Sequence, residues 1–229
     1  MYITDIFFDL DRTLWDFDLN AENTLVELCK TYDLLALGIK TNEFIKSYTL
    51  HNERLWSLYR ENKIKKEDLR SERFHLTLND FSVSNKELAI KLGEDYVHKC
   101  PLQKELFPNT FEILNYLKNK YNLHIITNGF EEVQNIKLKT SKLISFFNKI
   151  ITSEKVNAKK PDPKIFKYAL DQVNVKAENS IMIGDDFPVD IIGAKNVGMH
   201  QIYFNPNNEQ HSHEVDYEIK NLIEIKEIL

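Results

Sequence analysis

The chain has 229 residues, 42% of them hydrophobic and 28% charged, with a net charge of −5 at pH 7. These values describe a globular protein with room for a core and a smaller second domain, and the acidic balance excludes a surface built for nucleic-acid polymers while leaving room for a basic cleft around a phosphate. No stretch reaches the roughly 18 consecutive apolar residues that a bilayer requires, and no basic segment precedes a hydrophobic signal region, so no membrane partner is expected.

In chain order, Ile6-Phe7-Phe8 reads as a buried strand that closes on Asp9-Leu10-Asp11-Arg12-Thr13-Leu14. Two acids rarely finish a buried strand unless a cation compensates them, because an unpaired buried carboxylate is costly. Residues 18–100 then show helical periodicity, which predicts helices near 20–36, 42–62, 66–81 and 85–99. Leu55, Leu58 and Tyr59 share one helix face, as do Phe74, Leu78 and Phe81, and Trp56 and Tyr59 read as packing residues. Ser84-Asn85-Lys86-Glu87 predicts a capping box at the start of the fourth helix. Cys29 and Cys100 fit no metal spacing and read as two reduced, buried thiols of a cytoplasmic protein.

After Pro101 and Pro108 the pattern changes to helices alternating with short apolar runs. A helix from near Asn109 leads to Leu123-His124-Ile125-Ile126, and one over 131–144 leads to Lys149-Ile150-Ile151. A helix over 163–173 leads to Ser180-Ile181-Met182-Ile183, and one over 188–196 leads to Gln201-Ile202-Tyr203-Phe204. Such alternation predicts βαβ units and a parallel sheet covered on both faces. The expected fold is therefore α/β, a Rossmann-like core of residues 1–17 and 101–229 with residues 18–100 inserted as a four-helix cap domain. His211-Ser212-His213 falls in a polar loop and is expected to face solvent.

Ligands of parallel sheets bind outside the carboxyl ends of the strands. Four chemical signals fall there in order: the Asp9/Asp11 pair, Thr127-Asn128-Gly129, Lys159-Lys160-Pro161-Asp162-Pro163, and Gly184-Asp185-Asp186. Each alone is a common turn or helix start; together they form the parts list of metal-assisted phosphoryl transfer. A phosphate ester repels nucleophiles, so a carboxylate nucleophile needs a cation beside it. Asp9 is assigned as nucleophile, and Asp185 as the distant acid completing a Mg²⁺ site, an ion that prefers oxygen ligands. Asp11 is assigned as the acid/base, and it must arrive protonated, a form that close negative neighbours favour. Thr127 and the backbone amide of Asn128 are expected to donate to phosphoryl oxygens, and Lys160 to balance the charge on Asp9 and the phosphate. Asp190 is expected to hold Lys160 or a metal-bound water, with Asp186 competing for that supporting role.

These segments, with Asp190-Ile191-Ile192-Gly193-Ala194, resemble the four motifs of the haloacid dehalogenase-like hydrolase superfamily. A four-helix insertion after the first motif is similar to its phosphatases with a helical cap. The resemblance implies a Mg²⁺ ion held by the side chain of Asp9, the backbone carbonyl of Asp11 and the side chain of Asp185. More narrowly, Phe7-Phe8-Asp9 with Thr13-Leu14-Trp15-Asp16-Phe17-Asp18, Leu55-Trp56-Ser57-Leu58-Tyr59 and Ile126-Thr127-Asn128-Gly129-Phe130 are similar to bacterial pyrimidine 5′-nucleotidases of noncanonical nucleotides. That similarity implies a small-molecule phosphate monoester as partner, a nucleoside monophosphate such as dUMP, UMP or dTMP. Arg12 and Arg73 are candidates for substrate contact. Sugar-phosphate and phosphoglycolate phosphatases and phosphosugar mutases are the alternatives. Dehalogenases need neither a leaving-group acid nor magnesium acids, and the chain has Asp11 and Asp185 for both. A monomer or a homodimer is expected.

Overall fold

Asp5-Ile6-Phe7-Phe8 forms β1 (Asp5–Phe8), and all four residues are buried. In the computed structural model, which describes residues 2–229, β1 is joined by β2 (Asn122–Thr127), β3 (Lys149–Thr152), β4 (Ser180–Gly184), β5 (His200–Phe204) and β6 (Tyr217–Ile219). The order is β3-β2-β1-β4-β5-β6, and every pair is parallel. The Rossmann-like α/β core is therefore present, with β6 as an added edge strand of three residues, too short to give a periodic signal in the sequence.

The helices are α1 (Phe17–Thr31), α2 (Thr41–Arg60), α3 (Lys66–Asp80), α4 (Lys86–Lys99), α5 (Thr110–Leu117), α6 (Glu131–Thr140), the single turn α7 (Ser153–Val156), α8 (Pro163–Val173) and the short α9 (Ile192–Lys195). Successive strand residues face opposite sides of the sheet. Phe7, Ile126 and Met182 point to one face, where Ile165, Phe166 and Ala169 of α8 and Ala194 of α9 complete a buried apolar layer.

The chain divides into two compact units, Met1–Phe17 with Lys104–Leu229, and Asp18–Gln103. In the second unit the predicted 20–36 helix is interrupted: α1 stops at Thr31, Asp33 turns left-handed (φ 46°), and a 3-10 turn over Leu34–Leu37 ends at Gly38 (φ 78°). Asp enters that conformation more readily than most residues with a side chain, and Gly does so freely because it has no Cβ. The cap of α4 also differs from the predicted box. Asn85 is the cap residue and accepts from the Leu88 amide at 3.0 Å, whereas the Ser84 hydroxyl reaches the Asn79 side chain.

The rings of Tyr48, Phe74 and Tyr96 pack with centroids 5.0–5.6 Å apart. Arg73 is buried among them, its guanidinium carbon 4.5 Å from the Tyr96 ring centre and Nη1 donating to Asn52 Oδ1 at 3.2 Å. Cation–π attraction of this kind offsets the cost of burying the charge, and it accounts for an arginine that the sequence offers as a substrate contact. Cys29 and Cys100 are both buried and form no disulfide. No helix among the described residues is long and apolar enough to cross a membrane.

One polar pair sits inside the sheet. His124 Nε2 lies 2.9 Å from Asp5 Oδ1, and the Thr4 hydroxyl donates to Asp5 Oδ2 at 2.6 Å. His124 Nδ1 is buried and has no hydrogen-bond partner among the described residues, so protonation there would create an N–H with nothing to donate to. Burial accordingly lowers the His124 pKa below its ordinary value, against the pull of Asp5. Below the ordinary pKa of about 6.5 the unfolded chain takes up a proton that the fold resists, so this contribution to stability is present above pH 6.5 and is lost on acidification. Melting temperatures between pH 8 and 5 should show this loss, and His124→Leu should flatten that part of the profile. An unchanged profile in the variant would overturn the assignment.

Candidate active site

The register places Phe8 opposite Ile125 of β2 and Ile183 of β4. The residues that follow these strands therefore emerge together at their carboxyl ends. Asp9 follows β1 and is 7% exposed; its amide donates to the Ile183 carbonyl at 2.9 Å. Thr127 ends β2 and is buried, and Asp185 follows β4.

Lys160, 2% exposed, reaches into the same place. Its ammonium donates to Asp9 Oδ1 at 2.5 Å and to the Ile126 carbonyl at 2.8 Å, and it lies 2.7 Å from Asp190 Oδ1. Its backbone is clipped in place by Asn128, whose Oδ1 accepts from the Lys160 amide at 2.8 Å and whose Nδ2 donates to the Lys160 carbonyl at 3.0 Å. Asn128 thus does more than offer a backbone amide: its side chain fixes the start of the ammonium's reach.

Asp190 pairs with Lys160, while Asp186 has a different task. Asp186 Oδ1 accepts from the Val189 amide at 3.2 Å, capping a π-helical turn over Phe187–Ile191 that precedes α9. The predicted 188–196 helix is therefore wider at its start, and that turn carries the buried Asp190 inward. Asp190 packs directly against Gly184, where a Cβ would lie 2.3 Å from its Oδ2. Glycine is thus required at the end of β4 for the lysine's partner to reach it.

Asp185 Oδ1 accepts from the Thr13 hydroxyl at 3.0 Å. Carboxylate oxygens of Asp9, Asp185 and Asp190 lie within 4.8 Å of one another, so three acids face one ammonium. Burial pushes the Asp9 carboxyl up to about 7, against the Lys160 ammonium and with help from Asp190 and Asp11. Burial, then the charges of Asp9, Asp190 and Asp186, hold Asp185 well above the usual carboxylate range. Burial alone would lower Lys160, but Asp190 and Asp9 outweigh it and keep the ammonium charged. A set of crowded, desolvated carboxylate oxygens with too little positive charge fits a hard divalent cation that prefers oxygen ligands.

Asp11 has bonding partners that the sequence does not predict. Its Oδ1 accepts from Lys137 Nζ at 2.5 Å and its Oδ2 from Gln134 Nε2 at 2.8 Å. Besides the acid neighbour Asp9, whose carboxyl it helps to raise, its carboxyl meets two donors that the spacing does not predict, because α6 turns Gln134 and Lys137 inward one helical turn apart. Gln134 Nε2 also donates to Thr127 Oγ1 at 2.7 Å, and the Gly129 amide donates to the same oxygen at 3.0 Å. With both lone pairs of that hydroxyl occupied, its proton is left for an outside acceptor. Sequence reasoning missed Thr13, Gln134 and Lys137.

Of the remaining candidates, Arg12 adopts φ 64° and lays its guanidinium 4.9 Å from the Phe17 ring centre. The loop expected to be solvated is partly packed. His211 stacks on Phe187 at 4.5 Å with its Nε2 3.1 Å from Glu218, and the His213 ring lies 6.0 Å from Phe187.

Comparison with known proteins places this geometry in context. The family model of haloacid dehalogenase-like hydrolases matches residues 6–204. The chain is 30% identical over 216 residues to the pyrimidine 5′-nucleotidase PynA of Streptococcus pneumoniae, covering 93% of this chain and 88% of that one. It is 33% identical over 224 residues to the glyceraldehyde 3-phosphate phosphatase of Methanothermobacter thermautotrophicus, covering 96% and 92%. The magnesium-bound crystal structure of the HAD-hydrolase YfnB from Bacillus subtilis superposes with a TM-score of 0.91 at 26% identity, covering 100% of this chain and 99% of that one.

Proposed function

The chain belongs to the haloacid dehalogenase-like hydrolases, and from that premise we propose that it hydrolyses phosphate monoesters with Mg²⁺, acting on pyrimidine nucleoside 5′-monophosphates. The observation that carries the reading is the buried Asp9–Lys160–Asp190 chain of ion pairs beside Asp185, with Asp11 on the same loop as Asp9. In this reading the helical unit of Asp18–Gln103 is the cap domain and the other unit the catalytic core. Buried, unjoined cysteines fit a reducing cytoplasm.

Asp9 attacks phosphorus, the phosphorus–oxygen bond to the leaving alcohol breaks, and an aspartyl phosphate forms. Asp11 gives its proton to the departing oxygen. It then takes a proton from water, whose oxygen attacks the phosphoryl group to release inorganic phosphate and regenerate Asp9. Thr127 and the Asn128 amide hold phosphoryl oxygens, and Lys160 balances their charge. Asp9, Asp185 and the backbone carbonyl of Asp11 would hold the Mg²⁺ ion, which supplies charge neutralisation around the phosphoryl group.

The nucleotide reading draws support from PynA, and the glyceraldehyde 3-phosphate phosphatase relative favours a second reading, a short sugar phosphate. A screen of about thirty phosphate esters with Mg²⁺, ranked by kcat/KM, separates the two. dUMP and UMP should lead. Preference for glyceraldehyde 3-phosphate or other short sugar phosphates would replace the nucleotidase reading with the second.

A further inference from the structure

Lys137 presents a problem that the chemistry above leaves unsolved. It lies on α6, whose other lysine, Lys139, is exposed, yet it is 4% exposed. Withdrawing an ammonium from water is expensive unless a close, well-formed interaction compensates it. Its ion pair is with Asp11 at 2.5 Å, and its ammonium lies 4.1 Å from the ring centre of the fully buried Trp15. Gln134, one turn earlier and completely buried, donates to the other Asp11 oxygen and to Thr127. Gly129 leaves room for that amide: a Cβ there would lie 2.3 Å from Gln134 Nε2. The start of α6 is itself fixed, since the Glu131 amide donates to Glu154 Oε2 at 2.7 Å. Two donors on two different oxygens fix the plane of a carboxyl group, which one donor does not do. Each oxygen keeps a further lone-pair direction for proton exchange.

We propose that Gln134 and Lys137 are positioning residues that hold the Asp11 carboxyl group in one orientation for both proton transfers, with Gln134 coupling it to the phosphate-binding hydroxyl of Thr127. The inference rests on the phosphatase reading and deepens it. Proton transfer demands a group within hydrogen-bond reach of its target, and a carboxyl free to rotate about its Cβ–Cγ bond meets that demand for only part of the time. The first transfer matters only when the leaving alcohol is a poor leaving group. The second matters for every substrate, because water must be deprotonated whichever alcohol has left. Loss of the clamp should therefore slow phosphorylation by alkyl esters, spare phosphorylation by p-nitrophenyl phosphate, and slow dephosphorylation for both.

The test uses the full chain with Mg²⁺ and the variants Lys137→Met, Gln134→Leu and Lys137→Arg. Methionine keeps the apolar stem over Trp15 and removes only the charge. With p-nitrophenyl phosphate, Lys137→Met should release a burst approaching one p-nitrophenol per enzyme, followed by turnover reduced by about 10²-fold, with acid-stable phosphoenzyme accumulating. With an alkyl phosphate, kcat should fall by about the same factor or more without a burst, and KM should stay within about threefold. Gln134→Leu should show the same pattern more weakly, and Lys137→Arg should recover at least about a tenth of wild-type turnover. Equal loss on both esters with no phosphoenzyme, or no loss, overturns the inference while leaving the phosphatase reading intact. A wild-type protein that hydrolyses no phosphate monoester overturns both. If Lys137→Met does not fold, the burst and rescue patterns of Gln134→Leu and Lys137→Arg decide the matter alone.

Discussion

Asp9→Asn should lower kcat by a factor on the order of 10⁴ to 10⁶, the scale on which removal of a nucleophile acts. The measurement is turnover of p-nitrophenyl phosphate, whose leaving group needs no protonation, so that only the nucleophile is tested. Turnover near the wild-type rate would end the assignment. The fold should survive, because asparagine has nearly the same shape and Lys160 keeps the Ile126 carbonyl and Asp190. Stability offers an independent check. With its carboxyl pushed up to about 7, folded Asp9 holds a proton that the unfolded chain releases near pH 4. The metal-free protein therefore loses stability from this group as pH rises from about 4 to 7. Asparagine removes that slope, so at pH 8 without divalent ions the variant should melt no lower than wild type. Millimolar Mg²⁺ should raise the melting temperature of wild type and raise that of the variant less, since ligands that bind the folded state stabilise it in proportion to their affinity.

The parallel sheet and the gathering of Asp9, Thr127 and Asp185 at its carboxyl edge were legible because they rest on strands buried on both faces. Such strands read as short apolar runs, and the residue after each run lands at the same edge once the strands are in register. Asp9, Thr127 and Asp185 are brought together by that rule alone. Lys160 arrives on a loop, and its reach depends on the Asn128 clip, a cross-chain contact that spacing does not encode. Gln134 and Lys137 were hidden for the opposite reason. α6 carries Glu131, Glu132, Lys137 and Lys139, a composition typical of a solvated helix, and only three-dimensional packing shows which lysine turns inward. The choice between Asp186 and Asp190 turned on a single local event, the capping of a π-helical turn by Asp186. The break in the first predicted helix was similarly local: a left-handed Asp33, a residue that also sits comfortably inside helices.

Lys160→Met should damage both stability and activity. Methionine fills a similar volume, so the effect isolates the charge. Without the ammonium, Asp9 Oδ1 and the Ile126 carbonyl lose a donor they share, and Asp190 Oδ1 loses its ion pair. Breaking a buried ion pair from one side costs about 3–5 kcal/mol, because the remaining charge stays desolvated and uncompensated. For a chain of this size each kcal/mol shifts the melting temperature by roughly 2–4 °C, so a fall of about 10 °C is expected near pH 8. The size of the fall should depend on pH in a definite sense. Lys160 pulls the Asp9 pKa down against burial, and its removal lets that pKa climb further above the unfolded value. A carboxyl raised in the fold costs stability above its folded pKa and ceases to do so on acidification. The melting difference between variant and wild type should therefore shrink from pH 8 to pH 5. Activity should move the same way in reverse, because in the proposed reaction only ionised Asp9 can attack phosphorus: the acidic limb of the kcat/KM profile should shift to higher pH. A melting difference that is constant with pH, together with an unshifted limb, would mean that Lys160 fills space at this site and does not balance its charge.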